Sequence, residues 1–188
     1  TSGQNVSSPV ILSNDIFLNK AAYQLSPARF SPRGYNSTQE VKYINGVEFN
    51  DQNRGVFNYA AVGALNDMTR NGDVTNFTAP SSFTFGELGG TENINMRASS
   101  YTPGGKLTLS YTNRNYYLRG MFTYSTGLKD NGWAFTTSIG GRYSNEGNID
   151  GTFYKNVSFA FSAEKQWKGG EHSLSMVAFV SPVQRGQQ

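Results

Sequence analysis

The composition of this 188-residue chain narrows its class before any motif is considered. Only 15% of the residues are charged and the net charge is +3, whereas 13 Phe, 11 Tyr and 2 Trp are spread along the chain. Gly, Asn, Ser and Thr are abundant, and they favour turns over helices. This composition excludes an all-helical bundle, and the aromatic content is too apolar for a disordered chain.

Several site types and partners are also excluded or disfavoured. The chain has no Cys, which rules out disulfides, zinc–thiolate sites and thiol nucleophiles. The longest uninterrupted apolar run, 176–180, is far shorter than the roughly 20 residues that a spanning helix needs. No signal peptide is expected in this sequence. The basic residues are scattered singly, so nucleic acid is not an expected partner.

Residues 1–96 contain short elements of mixed type. Ser13 precedes apolar residues at helical spacing, which predicts a short capped helix before Pro27. Strands are predicted at 41–47, which includes an Asn45-Gly46 turn signal, and at 73–77. A second short helix is predicted from a three- and four-residue spacing of apolar side chains at Phe57, Ala61, Ala64, Leu65 and Met68. Together these elements predict a compact α+β unit.

From Lys106 onward, apolar and polar residues alternate in segments separated by turns. Such alternation is typical of strands with one apolar and one polar or small face. Turn signals occur at 113–115, 129–132 and 168–171. The alternating segments are 107–112, 116–125, 133–143, 157–164 and 174–180. The sequence therefore predicts about five antiparallel strands.

Strands of this length with an apolar face are typical of transmembrane β-barrels. Tyr116, Tyr124, Trp133 and Tyr143 lie near predicted strand ends, where an interfacial aromatic girdle would place them. A soluble sandwich or meander also alternates and remains the alternative. Five strands cannot close an outer-membrane barrel, so the membrane interpretation predicts that these residues are a fragment of a larger protein.

A run of motifs in the first half gives a family resemblance. The motifs are Pro32-Arg33-Gly34-Tyr35, then Tyr43-Ile44-Asn45-Gly46-Val47, then Ala79-Pro80 through Phe85-Gly86, Gly89-Gly90 and Asn93-Ile94. Their order resembles the plug domain of TonB-dependent outer-membrane receptors, followed by the first barrel strands. The phrases Asn66-Asp67 and 111–114 are most similar to receptors of Bacteroidota.

The resemblance implies a fold, a location and an activity. The implied fold is an α+β plug domain at 1–96, followed by antiparallel transmembrane strands of a plugged 22-strand β-barrel at 97–188. The implied activity is gated import of a siderophore, cobalamin, glycan or peptide across the outer membrane of a Gram-negative bacterium. The implied partners are the TonB–ExbB–ExbD complex, outer-membrane lipid, the imported molecule and a surface lipoprotein lid. No cofactor, metal or catalytic residue is implied.

The resemblance also assigns roles to individual residues. Arg33 would pair with inward-facing carboxylates and hold the plug, with a surface turn as the alternative. Glycines in these motifs suit positive φ or close backbone contact. The residues that the motif order assigns to plug packing are Arg33, Gly34, Tyr35, Asn45, Gly46, Pro80, Gly86, Gly89, Gly90 and Asn93. The outward plug loops would place Gln39, Asn53, Arg54 and Phe57 against substrate, although ordinary solvated loop positions explain them equally well.

The chain departs from the family pattern in two places, and the sequence also allows another function. Thr78-Ala79 stands where the family has Arg-Gly, and no TonB box precedes the first motif. His172 is the only His, and 51–55 lacks the later ligands of a calcium loop, so an enzyme or metal site is not expected. The competing function is a soluble or surface-exposed, aromatic-rich β-module that binds glycan.

Overall fold

The computed structural model describes residues 35, 37–75, 78–111, 116–146 and 150–186. The chain divides into two units. One comprises the described residues of Thr1–Asn58 and Arg70–Asn95, and the other those of Tyr59–Thr69 and Met96–Gln188. Each unit is built on one β-sheet.

The first unit contains a four-stranded sheet in the order β2-β1-β4-β3. Its strands are β1 (Val41–Ile44), β2 (Val47–Glu48), β3 (Gly72–Thr75) and β4 (Thr91–Ile94). β1 and β2 form an antiparallel hairpin, β1 runs parallel to β4, and β3 is antiparallel to β4. Positive φ at Asn45 (49°) and Gly46 (82°) makes the two-residue turn that the Asn-Gly signal predicts. A short 3₁₀ turn, Ser37–Gln39, precedes β1.

A buried ion pair links the two central strands of this sheet. Lys42 Nζ on β1 donates to Glu92 Oε2 on β4 at 2.9 Å, and Glu40 lies 3.5 Å from the same ammonium. Both Lys42 and Glu92 are buried, so removing one partner would leave a charge out of water. The pair therefore fixes β1 beside β4 in one register.

The second unit contains a six-stranded antiparallel sheet in the order β10-β8-β7-β6-β5, with β9 also paired to β8. Valine, threonine and aromatic residues are frequent in these strands, as expected for pleated structure. The strands are β5 (Gly104–Tyr111), β6 (Leu118–Ser125), β7 (Trp133–Ser144), β8 (Tyr154–Trp167), β9 (His172–Val180) and β10 (Val183–Arg185). Strands β5 to β9 coincide with the five alternating segments of the sequence.

β9 and β10 together pair with the long strand β8 along most of its length. β9 pairs with one end of β8 and β10 with the other, and Ser181-Pro182 interrupts the ladder between them. Pro lacks a backbone N–H and is confined to edges and irregular positions of sheets. The interruption therefore separates β9 from the short strand β10, which the sequence did not predict.

Two short segments cover one face of this sheet. The first is 59–69, which begins with a four-residue helix, α1 (Tyr59–Val62), and continues in turns. The second contains the 3₁₀ turn Ala98–Ser100. They supply most of the buried apolar core of the unit, namely Val62, Ala64, Leu65, Met68, Met96 and Ala98.

The predicted fold class is wrong. Apart from α1 and short 3₁₀ turns, the described elements are strands, and no α+β plug domain is present among the described residues. The spacing at 57–68 reflects burial of successive turns, because Leu65, Met68 and Thr69 donate to carbonyls three or four residues back. β5 does not pair with β9 or β10, so the sheet is open and not a barrel. The helix predicted after Ser13 lies outside the described residues.

Gly140 on β7 tests how closely segment 59–69 packs on the sheet. A Cβ at this position would overlap the carbonyl oxygen of Ala64, whereas a Cβ at Gly105 would lie 3.6 Å from the Phe122 ring. We expect Gly140→Ala to lower the free energy of unfolding by about 1–3 kcal/mol, because overpacking forces the backbone to shift. Gly105→Ala is the matched control and should change stability little. Equal denaturant midpoints for the two variants would contradict close packing at Gly140.

Candidate functional site

The six-stranded sheet presents two chemically opposite faces. Side chains alternate along each strand, and the alternate set that is exposed is apolar and aromatic. We call this the outer face. It consists of Leu107, Leu109, Tyr111, Leu118, Phe122, Tyr124, Trp133, Phe135, Ile139, Tyr143, Val157, Phe159, Trp167, Leu174, Met176 and Val180. The opposite side, which segments 59–69 and 96–101 overlie, is called the covered face.

The outer face is continuous across neighbouring strands. Register places Phe122 beside Ile139, and Ile139 beside Phe159. The next strand adds Val180 opposite Phe159. Monomeric soluble proteins rarely expose a contiguous apolar surface of this width, and such surfaces mark contact with a partner or a membrane.

Lysine–aromatic pairs border the outer face at both ends. Trp133 lies directly opposite Lys165, whose Nζ is 5.2 Å from the indole centroid. Tyr143 lies opposite Lys155, whose Nζ is 5.7 Å from the phenol ring. Lys165 Nζ also donates to the carbonyl of Asn131 in the adjoining turn. Lys165 thus directs its charge to the adjoining turn, and both ammonium groups lie over aromatic rings.

The two borders are far apart along β8. Lys155 and Lys165 are ten residues apart on β8, which corresponds to roughly 33 Å at about 3.3 Å per residue. Tilting a strand by about 40° reduces that height to roughly 25 Å, the height of the apolar band of outer-membrane proteins. On β8, the outer-face positions between the lysines are Val157, Phe159, Phe161 and Ala163, all uncharged.

The covered face is lined by hydroxyl groups that bond to one another. Thr123 and Ser138 are 2.7 Å apart, oxygen to oxygen, across β6 and β7. Thr136 Oγ1 donates to Ser125 Oγ at 2.9 Å. These hydroxyls are buried, and burial of unpaired hydroxyls would be costly. The pairs therefore stabilise a sheet whose protein-facing side is polar and whose open side is apolar.

The segment around the 3₁₀ turn is attached to the covered face by further polar contacts. Ser99 donates to Glu164 Oε2 from both its backbone N–H (3.1 Å) and its hydroxyl (2.7 Å). Ser162 Oγ donates to the carbonyl of Met96 at 2.7 Å. Glu164 is only 1% exposed, so these charge-assisted bonds compensate for its lost hydration.

Segment 59–69 is held at its end by two side chains. Lys106 Nζ donates to Asp67 Oδ1 at 2.8 Å, and Tyr101 Oη donates to the carbonyl of Met68 at 2.6 Å. Burial raises the pKa of Tyr101 well above its ordinary value of 10.0, because the phenolate would be desolvated. The neutral phenol is thus the form that holds the segment.

The motif residues of the first unit are partly brought together. Tyr43 and Asn93 are register partners on β1 and β4, and the Asn93 side chain accepts a hydrogen bond from the Gly46 N–H at 2.9 Å. The Tyr43 ring contacts Phe83 edge-on at 5.6 Å. Two predicted motifs, 43–47 and 89–94, thus form one local structure.

The glycines of the motif at 79–94 have a positive φ or no room for a Cβ, as expected for these positions. Gly86 and Gly90 both have φ of 96°, and Gly86 also lies against the backbone of Thr78. Gly89 donates its N–H to Gln39 O at 2.9 Å and leaves no room for a Cβ there. Pro80 is exposed in the preceding loop.

The first motif, 32–35, is described only at its last residue. Tyr35 is half-buried, whereas Arg33 and Gly34 lie outside the described residues.

The four residues proposed to face substrate do not form one surface cluster. Asn53 and Arg54 are exposed, and their backbone N–H groups donate to Asp51 Oδ1, which shapes the turn. Gln39 ends a 3₁₀ turn and is half-buried. Phe57 is 8% exposed and is paired with Asn50 in a β-bridge, so its ring is in the core.

The bordering lysines were not identified from the sequence. Aromatic residues near strand ends were visible as a pattern, but the partners opposite them depend on register. The available signal was the ten-residue spacing of Lys155 and Lys165 at the two ends of an otherwise uncharged alternating face.

No helix of the described residues is both long and apolar enough to cross a membrane. The same residues contain no cluster of three or more His, Asp or Glu side chains that would hold a metal ion. No protein-family model matches this chain, and no curated protein or solved structure matches it either.

Tyr101→Phe tests the attachment of segment 59–69. Loss of the bond to Met68 O should lower the free energy of unfolding by about 1 kcal/mol at neutral pH. Because the folded pKa is raised, wild-type stability from this group is fully present below pH 10.0 and declines as the pH rises further. Urea unfolding at pH 8 and pH 11 should therefore show a smaller alkaline loss in Tyr101→Phe than in wild type. Parallel losses would contradict the role of the phenol.

Proposed function

We propose that this chain serves TonB-dependent import of a nutrient across the outer membrane of a Gram-negative bacterium, with the six-stranded sheet in lipid. The observation that carries the proposal is the apolar outer face, bordered by Lys165–Trp133 at one end and Lys155–Tyr143 at the other. An uncharged band between amphipathic borders is the arrangement that a bilayer selects. The lipid contact is argued from the sheet alone and not from the α+β plug, which is not the fold of the described residues.

The polar covered face supports the same proposal. A soluble sheet packs its apolar side chains on the core and turns its polar side to water. Here the hydroxyls of Thr123, Thr136, Ser138 and Ser162 are buried against protein, and the aromatic side is left open. In water, this exposed apolar face would be unfavourable. The cost disappears only if the outer face contacts an apolar medium.

Lipid contact has a further requirement at the sheet edges. Unpaired backbone amides are strongly disfavoured in hydrocarbon. β5 lies at one edge of the described sheet, and β9 and β10 lie at the other. The proposal therefore requires hydrogen-bonding partners for the backbone amides at both edges.

The import activity and its partners follow from the motif resemblance. The proposed energy source is the TonB–ExbB–ExbD complex, and a surface lipoprotein lid is a further proposed partner. The proposed cargo is a siderophore, cobalamin, glycan or peptide. The motif residues of β1, β4 and the loop at 78–90 support this assignment by forming one hydrogen-bonded region.

A glycan-binding β-module is the second candidate. The observation that favours it is an aromatic row in which Trp133 and Phe135 are stacked at 5.5 Å, and Phe135 and Phe161 at 6.3 Å. Exposed aromatic faces can pack on sugar rings. This candidate predicts a protein that remains monomeric in water without detergent.

Tryptophan depth tests the lipid contact directly. Trp133 and Trp167 are the two tryptophans, and both lie toward the same end of the outer face. In vesicles carrying spin-labelled lipid, we expect stronger fluorescence quenching by a label near the headgroup than by one at the chain end. Each tryptophan should be measured alone, with the other replaced by Phe.

The matched control places a tryptophan at the middle of the outer face. Phe159→Trp in a background of Trp133→Phe and Trp167→Phe should be quenched best by the chain-end label. Absence of quenching for all three positions would contradict lipid contact. Binding of an oligosaccharide by the detergent-free monomer would then favour the glycan module.

Energy dependence tests the import activity. A strain lacking this protein and a strain lacking TonB should fail on the same limiting nutrient, among ferric siderophores, cobalamin, glycans and peptides. Restoring the gene for this protein should recover growth only where TonB is present. Wild-type growth of the deletion strain on every nutrient in the panel would contradict the proposed import.

A further inference from the structure

One end of the outer face carries a lysine between two apolar side chains. Register places Trp133 on β7 opposite Lys165 on β8, and Lys165 opposite Leu174 on β9. In the next row, Trp167 lies opposite His172, and the two ring centroids are 6.0 Å apart. We call these five residues the tryptophan border. An ammonium group therefore stands where the apolar band meets the turns of the sheet.

Two contacts fix the position of the Lys165 ammonium. Its Nζ lies 5.2 Å from the centroid of the Trp133 indole and donates to the carbonyl of Asn131. An ammonium group has three N–H donors, so two remain for an acceptor outside the chain. No described residue forms an ion pair with Lys165. The charge is thus positioned by the described residues but not neutralised by them.

The turn that accepts the bond from Lys165 is itself fixed against β8. The Gly132 N–H donates to Lys129 O at 2.7 Å, and the Gln166 N–H donates to Gly132 O at 2.7 Å. A Cβ at Gly132 would overlap the Gln166 carbonyl oxygen, so the turn lies directly against the strand. The turn therefore keeps its acceptor carbonyl, and with it the Lys165 ammonium, at this end of the sheet.

Two further lysines lie in the turns at this end. Lys129 lies in the turn before β7 and Lys168 in the turn between β8 and β9, and both are exposed. The same turns contain Asp130 and Glu171, which are also exposed and form no ion pair with a described residue. Lysines thus outnumber carboxylates here, and Lys165 is the charge that lies on the outer face itself.

We propose that the tryptophan border binds the phosphate of an anionic phospholipid. The inference rests on the proposed lipid contact and names the headgroup chemistry that this end of the sheet prefers. Trp133 and Trp167 lie at headgroup level, as aromatic residues do at membrane interfaces, and the two remaining donors of Lys165 bond to phosphate oxygens. Lys129 and Lys168 attract the negative surface over about 10 Å at 0.1 M salt. A zwitterionic headgroup fits less well, because its own cation is repelled by these lysines.

Quenching of Trp133 by brominated phospholipids tests this preference. The protein carries Trp167→Phe, which leaves Trp133 as the only tryptophan, and is reconstituted into vesicles of phosphatidylcholine and phosphatidylglycerol. One of the two lipids is brominated at a time, and quenching is expressed relative to unbrominated vesicles. We expect an apparent affinity of this site for phosphatidylglycerol about fivefold higher than for phosphatidylcholine, since one lysine contact with an anionic surface accounts for that factor.

Variants assign the preference to the border. Lys165→Gln should remove it, and Lys165→Arg should keep it. Arg185→Gln removes a positive charge on β10, at the other end of β8, and is the control that should also keep it. The preference should decline as sodium chloride approaches about 1 M, where the screening length falls to about 3 Å.

The outcomes separate this inference from the lipid contact on which it rests. Equal quenching by the two brominated lipids would overturn the anionic preference and leave the lipid contact supported. A preference that persists in Lys165→Gln would also overturn the site. Absence of quenching by either lipid would contradict the lipid contact and the headgroup site together.

Discussion

The register of β6, β7 and β8 is the constraint on which the second unit depends. Side chains alternate with a period of two, so a shift of one residue would exchange the two faces of a strand. Hydroxyl pairs such as Thr123 with Ser138 and Thr136 with Ser125 form only in the observed register. The same register assembles the outer-face aromatics into a continuous surface.

Contacts on the covered face explain why segments 59–69 and 96–101 stay attached to a sheet that buries few apolar side chains. Polar contacts from Glu164, Ser162 and Lys106 attach two chain segments, and a small cluster around Leu65 and Met68 fills the space beneath them. Close approach at Gly140 and Gly63 lets this cluster lie near the strands. Stability here combines directional bonds with dense packing of small residues.

The functions proposed for this chain rest on its surfaces. The outer face offers an apolar band with amphipathic borders. The first unit contributes an ordered loop and hairpin, in which Gly86 and Gly90 adopt positive φ. The proposed lipid contact and the proposed import rest on different observations and can be tested separately.

The sequence alone determined the strands β5–β9 and the Asn45-Gly46 hairpin turn, because alternation and turn chemistry are local signals. It predicted a helix over 57–68, of which only Tyr59–Val62 is helical, since helical spacing and burial in successive turns place apolar residues at similar intervals. It also did not reveal the burial of Phe57. Only the tertiary structure decided which residues lie opposite one another, and hence the Lys155–Tyr143 and Lys165–Trp133 borders. Cross-strand neighbours are set by register over long sequence separations, which no local pattern specifies.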